Sequence, residues 1–166
     1  MTVNEWVELI QRQGGVCNDY MRKLNAVTNK TEMFRVLCDV NGGAWLFELH
    51  AKGVQIPIDS FVQEFKNYIN GKKTMEYPEG YKSKFHCRQN GTEIVADTTI
   101  VYVLECKDVN IVTPKNAYPT VILSGGSSAK ITMNDGWRLN LELYGNARYE
   151  LDGNDFNVKI TKHRQQ

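Results

Sequence analysis

The chain has 166 residues, about the size of one globular domain and too short for a two-domain enzyme of the doubly wound type. Its composition of 42% apolar and 23% charged residues is typical of a protein with a packed core, which excludes wholesale disorder. The formal net charge is +1, with 12 basic and 11 acidic residues before position 96 and eight of each after it. Neither half therefore carries the positive charge typical of a nucleic-acid binder.

The longest apolar runs, such as residues 100–104, are too short to span a bilayer, and the N-terminus lacks the pattern of a secretion signal. We therefore expect a cytoplasmic protein that does not act at a membrane. The cysteines form no C-x-x-C pair, which predicts reduced and mostly buried thiols rather than a zinc or redox site. They are Cys17, Cys38, Cys87 and Cys106. No cofactor is predicted.

The first half of the chain predicts short helices separated by glycines. Thr2 and Glu5 have the spacing of a capping box at the start of the first helix. A second helix is predicted within residues 16–27, and a third within 31–38 that ends before Gly42-Gly43.

Two more helices are predicted before residue 71. Residues 44–52 fit neither the helical nor the strand period cleanly, and Gly53 as a stop favours a helix. Asp59 to Asn70 is the clearest helix, with Pro57 before it, Asp59 as its cap and Asn70-Gly71 at its end. Its apolar stripe consists of Ile58, Phe61, Val62, Phe65, Tyr68 and Ile69.

Residues 71–83 are interpreted as a polar connector, whose tyrosines pack on the edge of the domain. Basic and aromatic side chains alternate here and could hold a phosphate or a nucleic acid. Glu76 and Glu79 dilute the charge, which disfavours that function. The candidate patch consists of Lys72, Lys73, Tyr77, Tyr81 and Lys82.

From Thr92 onward the apolar period changes to two and turn signals recur every 8–11 residues, which predicts an all-β region. Rows of 19 residues, which start at Ala96, Lys115, Asn134 and Gly153, align these features. The aligned columns are Asp97/Asn116/Asp135/Asn154, Thr99/Tyr118/Trp137/Phe156, Val101/Thr120/Leu139/Val158 and Val103/Ile122/Leu141/Ile160. Columns of Asp or Asn are typical of turns, and columns two residues apart lie on one face of a strand.

The repeat predicts a short parallel β-solenoid of about three and a half coils, in which stacked coils bury apolar faces that one coil cannot bury alone. The fold class is α+β, with a helical lobe at 1–83 packed on a β lobe at 84–166 and sharing its core. An antiparallel β-sandwich is the alternative, since short strands at this spacing fit it as well. The end of a solenoid exposes unpaired strand edges, so the last coil is either blunted by its polar tail, residues 162–166, or a self-association surface.

Few residues suggest chemistry. His86 and Cys87 are neighbours on a predicted strand and point to opposite faces, so they cannot act as a nucleophile and its base. His50 is interpreted as structural, and three scattered histidines supply no metal-ligand set. Asp97 and Asp135 alternate with Asn in a turn column, which favours backbone capping over acid catalysis.

The aromatic column is the main surface question. The candidate binding surface consists of Tyr118, Trp137, Phe156, Tyr102 and Lys159. Of these, Tyr102 and Lys159 are predicted to point outward from the same strands. Aromatics that face outward could stack on sugar rings or bases. However, this column lies an even number of residues from the column of Val103 and Ile122, and so on the same face of the strands, which predicts an interior ladder.

Three stretches carry a resemblance: HAKGVQIPIDSFVQEFKNYINGK (50–72), YKSKFHC (81–87) and ADTTIVYVLEC (96–106). Over about half its length the chain resembles small uncharacterised proteins of gut-bacterial prophages and other mobile elements. The resemblance implies a bacterial or phage cytoplasmic setting and a β-helical C-terminal half, and it carries over no functional residues.

The leading functional hypothesis is a non-enzymatic protein-binding or assembly module, whose partner is another protein or a second copy. A carbohydrate-binding or carbohydrate-active protein is the alternative. A third hypothesis, nucleic-acid binding through residues 66–88, predicts affinity that falls with salt.

Overall fold

A computed structural model describes residues 3–13, 17–134, 138–153 and 157–163. Five helices lie in the first half of the described chain. They are α1 (Val3–Gln13), α2 (Asn18–Asn25), α3 (Lys30–Leu37), α4 (Val40–Ala51) and α5 (Ile58–Glu64).

The first three helices confirm the predicted pattern. Tyr20 and Leu24 are buried on α2, and Asn29 caps α3 by accepting a hydrogen bond from the Glu32 amide. The Glu32 carboxylate in turn accepts from the Thr28 amide at 3.0 Å, which satisfies free amides at the start of the helix. Thr2 lies outside the described residues, so its predicted capping is not addressed.

Helix α3 ends at Leu37, before Gly42-Gly43 as predicted, but the glycines are not its stop, because both lie in the first turns of α4. Asp39 caps α4 and accepts hydrogen bonds from Asn41 and Gly42. A β-carbon at Gly42 would lie 2.3 Å from the Val36 carbonyl oxygen, and one at Gly43 would lie 2.3 Å from the Tyr102 ring. Close packing on both sides of α4, rather than chain termination, therefore requires these glycines.

The predicted helix from Asp59 to Asn70 is shorter in the structure. Helix α5 ends at Glu64, and turns continue to Asn70 and Gly71, whose positive φ angles reverse the chain. Asp59 is not the cap; it forms an ion pair with Arg88. The apolar stripe is confirmed, since Ile58, Phe61, Phe65 and Ile69 are buried.

The second half winds into a parallel β-solenoid of two sheets. One sheet has the order β1-β2-β4-β6-β8-β10 and the other β3-β5-β7-β9, so each coil supplies one strand to each sheet. The strands are β1 (Met75–Glu76), β2 (Lys82–Cys87), β3 (Glu93–Val95), β4 (Ile100–Leu104), β5 (Val109–Thr113), β6 (Thr120–Ser124), β7 (Ser128–Met133), β8 (Leu139–Tyr144), β9 (Arg148–Asp152) and β10 (Val158–His163).

The pairings exclude the sandwich alternative. Strands of successive coils pair in parallel, and among the described strands only the short β1 pairs antiparallel to its neighbour, β2. The coil formed by β2 and β3 precedes the predicted first row at Ala96. The described chain therefore forms about four coils rather than three and a half.

The predicted register of 19 residues holds only for the last pair of strands, β8 and β10. There Leu139 pairs with Val158, whereas Val101 pairs with Val121, twenty residues away. Since successive residues of a strand face opposite sides, a one-residue shift exchanges the two faces. Val121 therefore fills the solenoid interior, and Ile122, predicted to lie inside, faces the helices.

Two apolar clusters hold the fold together. One fills the solenoid interior, where Val101, Leu123 and Leu141 are fully buried. The other lies between the helices and the outer face of the six-stranded sheet, where Phe47 of α4 packs edge-on against Phe85 at 5.8 Å and Tyr102 at 5.5 Å. The helices thus pack on the outer face of the six-stranded sheet over β2, β4, β6 and β8.

Candidate functional site: the open end of the solenoid

The first end of the six-stranded sheet is closed by its own chain. Met75 of β1 pairs with Ser83 on the outer edge of β2. Farther along that edge, Asn70 donates its amide to the Phe85 carbonyl at 2.8 Å and its side chain accepts from the Cys87 amide at 2.9 Å. These contacts satisfy backbone groups that an edge strand otherwise leaves free.

The opposite end is open. Strands β9 and β10 are the last of their sheets, and no described strand pairs with their outer edges. The apolar ladder ends here: Leu141 of β8 is fully buried, but its register partner Ile160 is 38% exposed. Val158 and Tyr149 are also only half-buried. The interior of the solenoid therefore reaches the surface at this end, which we call the open end.

Between the two last strands the open end forms a shallow pocket of about 380 Å³. Its wall includes Tyr149 of β9 on one side and Lys162 and His163 of β10 on the other, with Leu143 between them. Gly145, Ala147 and Arg148 complete its lining.

Strand β10 gives the open end a positive charge. Lys159 and Lys162 are exposed, and neither forms an ion pair with a described residue. His163 lies on the outer face, where its ring stacks on Tyr144 with centroids 4.1 Å apart and its Nε2 lies 3.2 Å from a Glu142 oxygen. The stack positions the end of β10.

The structure does not bring the predicted aromatic surface together. Tyr102 points away from the solenoid interior as predicted, but α4 covers it and it is fully buried, so it cannot contribute to a binding surface. Tyr118 is 62% exposed in the loop before β6, which contradicts the predicted interior ladder. Trp137 and Phe156 lie outside the described residues. Of the five candidates, Lys159 lies at the open end.

The second predicted patch is occupied by internal contacts. Tyr77 and Tyr81 stack at 4.2 Å on the edge of the helical cluster. Lys82 forms an ion pair with Glu76 at 2.7 Å. The other two lysines also contact the chain itself: Lys73 lies over the Tyr68 ring, and the Lys72 ammonium donates to the Lys66 carbonyl at 2.7 Å. This arrangement agrees with a connector packed on the domain edge.

The His86-Cys87 pair has the predicted geometry. In β2 the histidine pairs in register with Val103 of the interior, and the cysteine pairs with Leu104 of the helix-facing side. Burial lowers the pKa of His86 and raises the pKa of Cys87 to about 12, so the thiol stays protonated near neutral pH. His86 Nδ1 contacts Gln89 at 2.7 Å, and its buried Nε2 has no partner among the described groups.

A chain of ionisable side chains that is absent from the sequence predictions lies between the helices and the solenoid. His50 lies 3.2 Å from Glu105, and Glu105 pairs with Arg88 at 2.7 Å, which also pairs with Asp59. These residues line a cleft of about 390 Å³. Each of these four side chains already contacts another member of the cluster, so the cluster joins the helices to the solenoid.

One sequence signal could have located this cluster. Arg88 and Glu105 adopt positive φ angles of 53° and 52°, and the equivalent corners of the next coils are Gly125 and Gly145. Glycine is favoured at such corners because other residues are strained there. Charged residues in that column therefore indicate side chains needed for contacts.

The outer face of the four-stranded sheet is polar and forms a shallow groove of about 580 Å³. The register aligns Asn110, Lys130 and Glu150 across it. Among the described residues, no group of three or more His, Cys, Asp or Glu side chains could hold a metal ion. None of the helices in the described ranges has the length and apolar content that a membrane crossing requires.

Comparison with known proteins adds no relative. The chain matches no family model, no curated protein and no solved structure at a significant level.

Proposed function

We propose that this protein is a non-enzymatic protein-binding module of bacterial or phage origin that acts in the cytoplasm. In this proposal the open end receives an extended segment of a partner protein, which adds a strand beside β10. The observation that carries the proposal is the contrast between the two edges of the six-stranded sheet. The edge of β2 is covered by β1 and Asn70, whereas no described residue covers the edge of β10 beside the exposed Ile160.

Strand addition would satisfy two needs of the open end at once. An added strand forms backbone hydrogen bonds with the free edge of β10, and its side chains extend the ladders of the solenoid. It would also cover Ile160, whose remaining 38% exposure corresponds to about 1 kcal/mol of apolar burial.

The ladder pattern indicates which groups of β10 are free. Thr120 and Asn140, which are register partners in successive coils, each donate the amide to the preceding coil. Lys159 is the next residue in that row. Since alternate residues of a strand direct their backbone groups to opposite sides, the amides of Ile160 and Lys162 point away from the solenoid.

Selection from a library of random peptides displayed on phage tests the proposal. Lys162→Pro removes one outward amide at an edge position where proline is tolerated, and Lys162→Ala is the matched control that keeps the amide. We expect peptides selected on the wild type to bind Lys162→Ala and to bind Lys162→Pro at least tenfold more weakly. An empty selection, or equal binding to both variants, would contradict the proposal. Far-UV circular dichroism checks that both variants fold.

The polar groove of the four-stranded sheet supports a second candidate, carbohydrate binding. Asn110, Lys130 and Glu150 present donors and acceptors in one row that sugar hydroxyls could contact. Binding of wild type to a glycan array, lost in Asn110→Ala and kept in Lys162→Pro, would favour this function over the first.

A further inference from the structure

We infer that the segment received at the open end is acidic and carries apolar residues at alternate positions. This inference rests on the proposed function and names the chemistry of the partner. It follows from the side chains of β10, which is the strand that the segment would pair with.

The apolar alternation follows from the register. Val158 and Ile160 pair with Leu139 and Leu141, so their side chains continue the interior ladders of the solenoid. A strand added beside β10 places every second side chain on this interior side. Those side chains must be apolar in order to cover Ile160, which is 38% exposed.

The acidic character follows from the two lysines. Lys159 lies on the outer side of β10 and Lys162 on the interior side, and both are exposed without an ion-pair partner among the described residues. Adjacent strands lie about 4.8 Å apart, which brings carboxylates on the outer side of an added strand within reach of the Lys159 ammonium. The exposed Lys162 adds to the positive charge of the same edge.

The acidic side chains of the open end do not cancel this preference. Glu142 lies 3.2 Å from His163 on the outer face, and Asp152 of β9 pairs with Lys130 at 3.2 Å. Glu150 lies on β9, in the other sheet, and faces the polar groove. The edge of β10 itself therefore stays positive.

The same lysines disfavour a second copy of this chain as the occupant. Antiparallel pairing of β10 with another β10 through its outward amides places Ile160 opposite Lys162 of the other copy twice. Neither lysine then meets an acidic side chain, because β10 contains none. Lysine on an edge strand is also a common means of preventing self-association. A heterologous acidic strand supplies the missing opposite charge.

Two peptide probes test the inference by fluorescence anisotropy: a labelled hexapeptide of alternating Val and Glu, and a matched one of alternating Val and Lys. We expect the wild type to bind the Glu probe about tenfold more tightly, with the difference decreasing as salt is raised. In the double variant Lys159→Glu/Lys162→Glu, the preference should reverse. Both lysines are exposed, so the fold should persist, and circular dichroism checks it.

The outcomes separate the inference from the proposed function. Equal binding of the two probes, or a preference for the Lys probe, overturns the acidic partner and leaves strand addition standing. If neither probe binds, the composition of the selected random peptides decides: enrichment of Asp and Glu supports the inference, and its absence overturns it. An empty selection overturns the proposed function and the inference together. Concentration-dependent dimers that Ile160→Asp abolishes would identify a second copy as the occupant and overturn the acidic partner.

Discussion

The contact between Gly43 of α4 and the ring of Tyr102 joins the helices to the solenoid, and Gly43→Ala tests it. An added β-carbon would lie 2.3 Å from one ring atom and 2.6 Å from the hydroxyl oxygen of Tyr102. The ring cannot move away freely, because it is fully buried and packs against Phe47 at 5.5 Å and Phe85 at 5.7 Å. Its hydroxyl also donates to the Asp39 carbonyl at 2.8 Å.

The magnitude follows from three contributions. Overpacking of a core costs about 1–3 kcal/mol, and displacement of the Tyr102 hydroxyl costs about 1 kcal/mol more through its lost hydrogen bond. Alanine in a helix recovers up to about 1 kcal/mol relative to glycine. We therefore expect Gly43→Ala to lower the free energy of unfolding by about 1–3 kcal/mol.

Urea denaturation followed by circular dichroism measures this change. The control is Asn41→Ala, which also lies in the first turn of α4 but is exposed, so its effect should stay within about 0.5 kcal/mol. The reasoning would be refuted if Gly43→Ala were as stable as the wild type, since the helix would then not press on Tyr102 as described.

Three further predictions concern single residues. Burial lowers the pKa of His86, so the unfolded chain binds a proton more readily than the folded one. The free energy of unfolding should therefore fall as the pH drops below about 6.5, by at most about 1.4 kcal/mol per pH unit. Urea denaturation at a series of pH values measures this, and His86→Leu should flatten that part of the curve. Arg88→Gly should be more stable than Arg88→Ala by about 1 kcal/mol in urea denaturation, because both lose the ion pairs but only glycine relieves the positive φ; equal stability would contradict this. Cys17 is exposed and the other three cysteines are buried, so one thiol per folded chain should react rapidly with Ellman's reagent, and Cys17→Ser should remove that phase.

The coils could be predicted from the sequence, but their register could not. Turn residues and alternating strands identify each coil, whereas the paired strands lie seventeen, twenty or nineteen residues apart because the corner loops differ in length. Alternation could not correct the register in β4, whose five residues are all buried. One face of β4 fills the solenoid and the other lies under α4, so a one-residue shift breaks no pattern of polar and apolar residues.

The candidate site was predictable only in part. The sequence indicates that a solenoid has exposed ends and that its last coil is a possible association surface. It does not show which end is covered, because the contacts of Asn70 with β2 join residues up to 17 positions apart through a turn. The corner column marks Glu105, but its partner His50 lies 55 positions away, and no local pattern indicates that these two residues pair.

Hydrogen exchange of the β10 amides, measured by NMR with and without a selected peptide, tests strand addition most directly. In the free protein the amides of Ile160 and Lys162 should exchange rapidly and that of Thr161, which faces β8, slowly. Bound peptide should slow the first two. Protection of Ile160 and Lys162 before any peptide is added, or rapid exchange that persists at saturation, would contradict an open end that receives a strand.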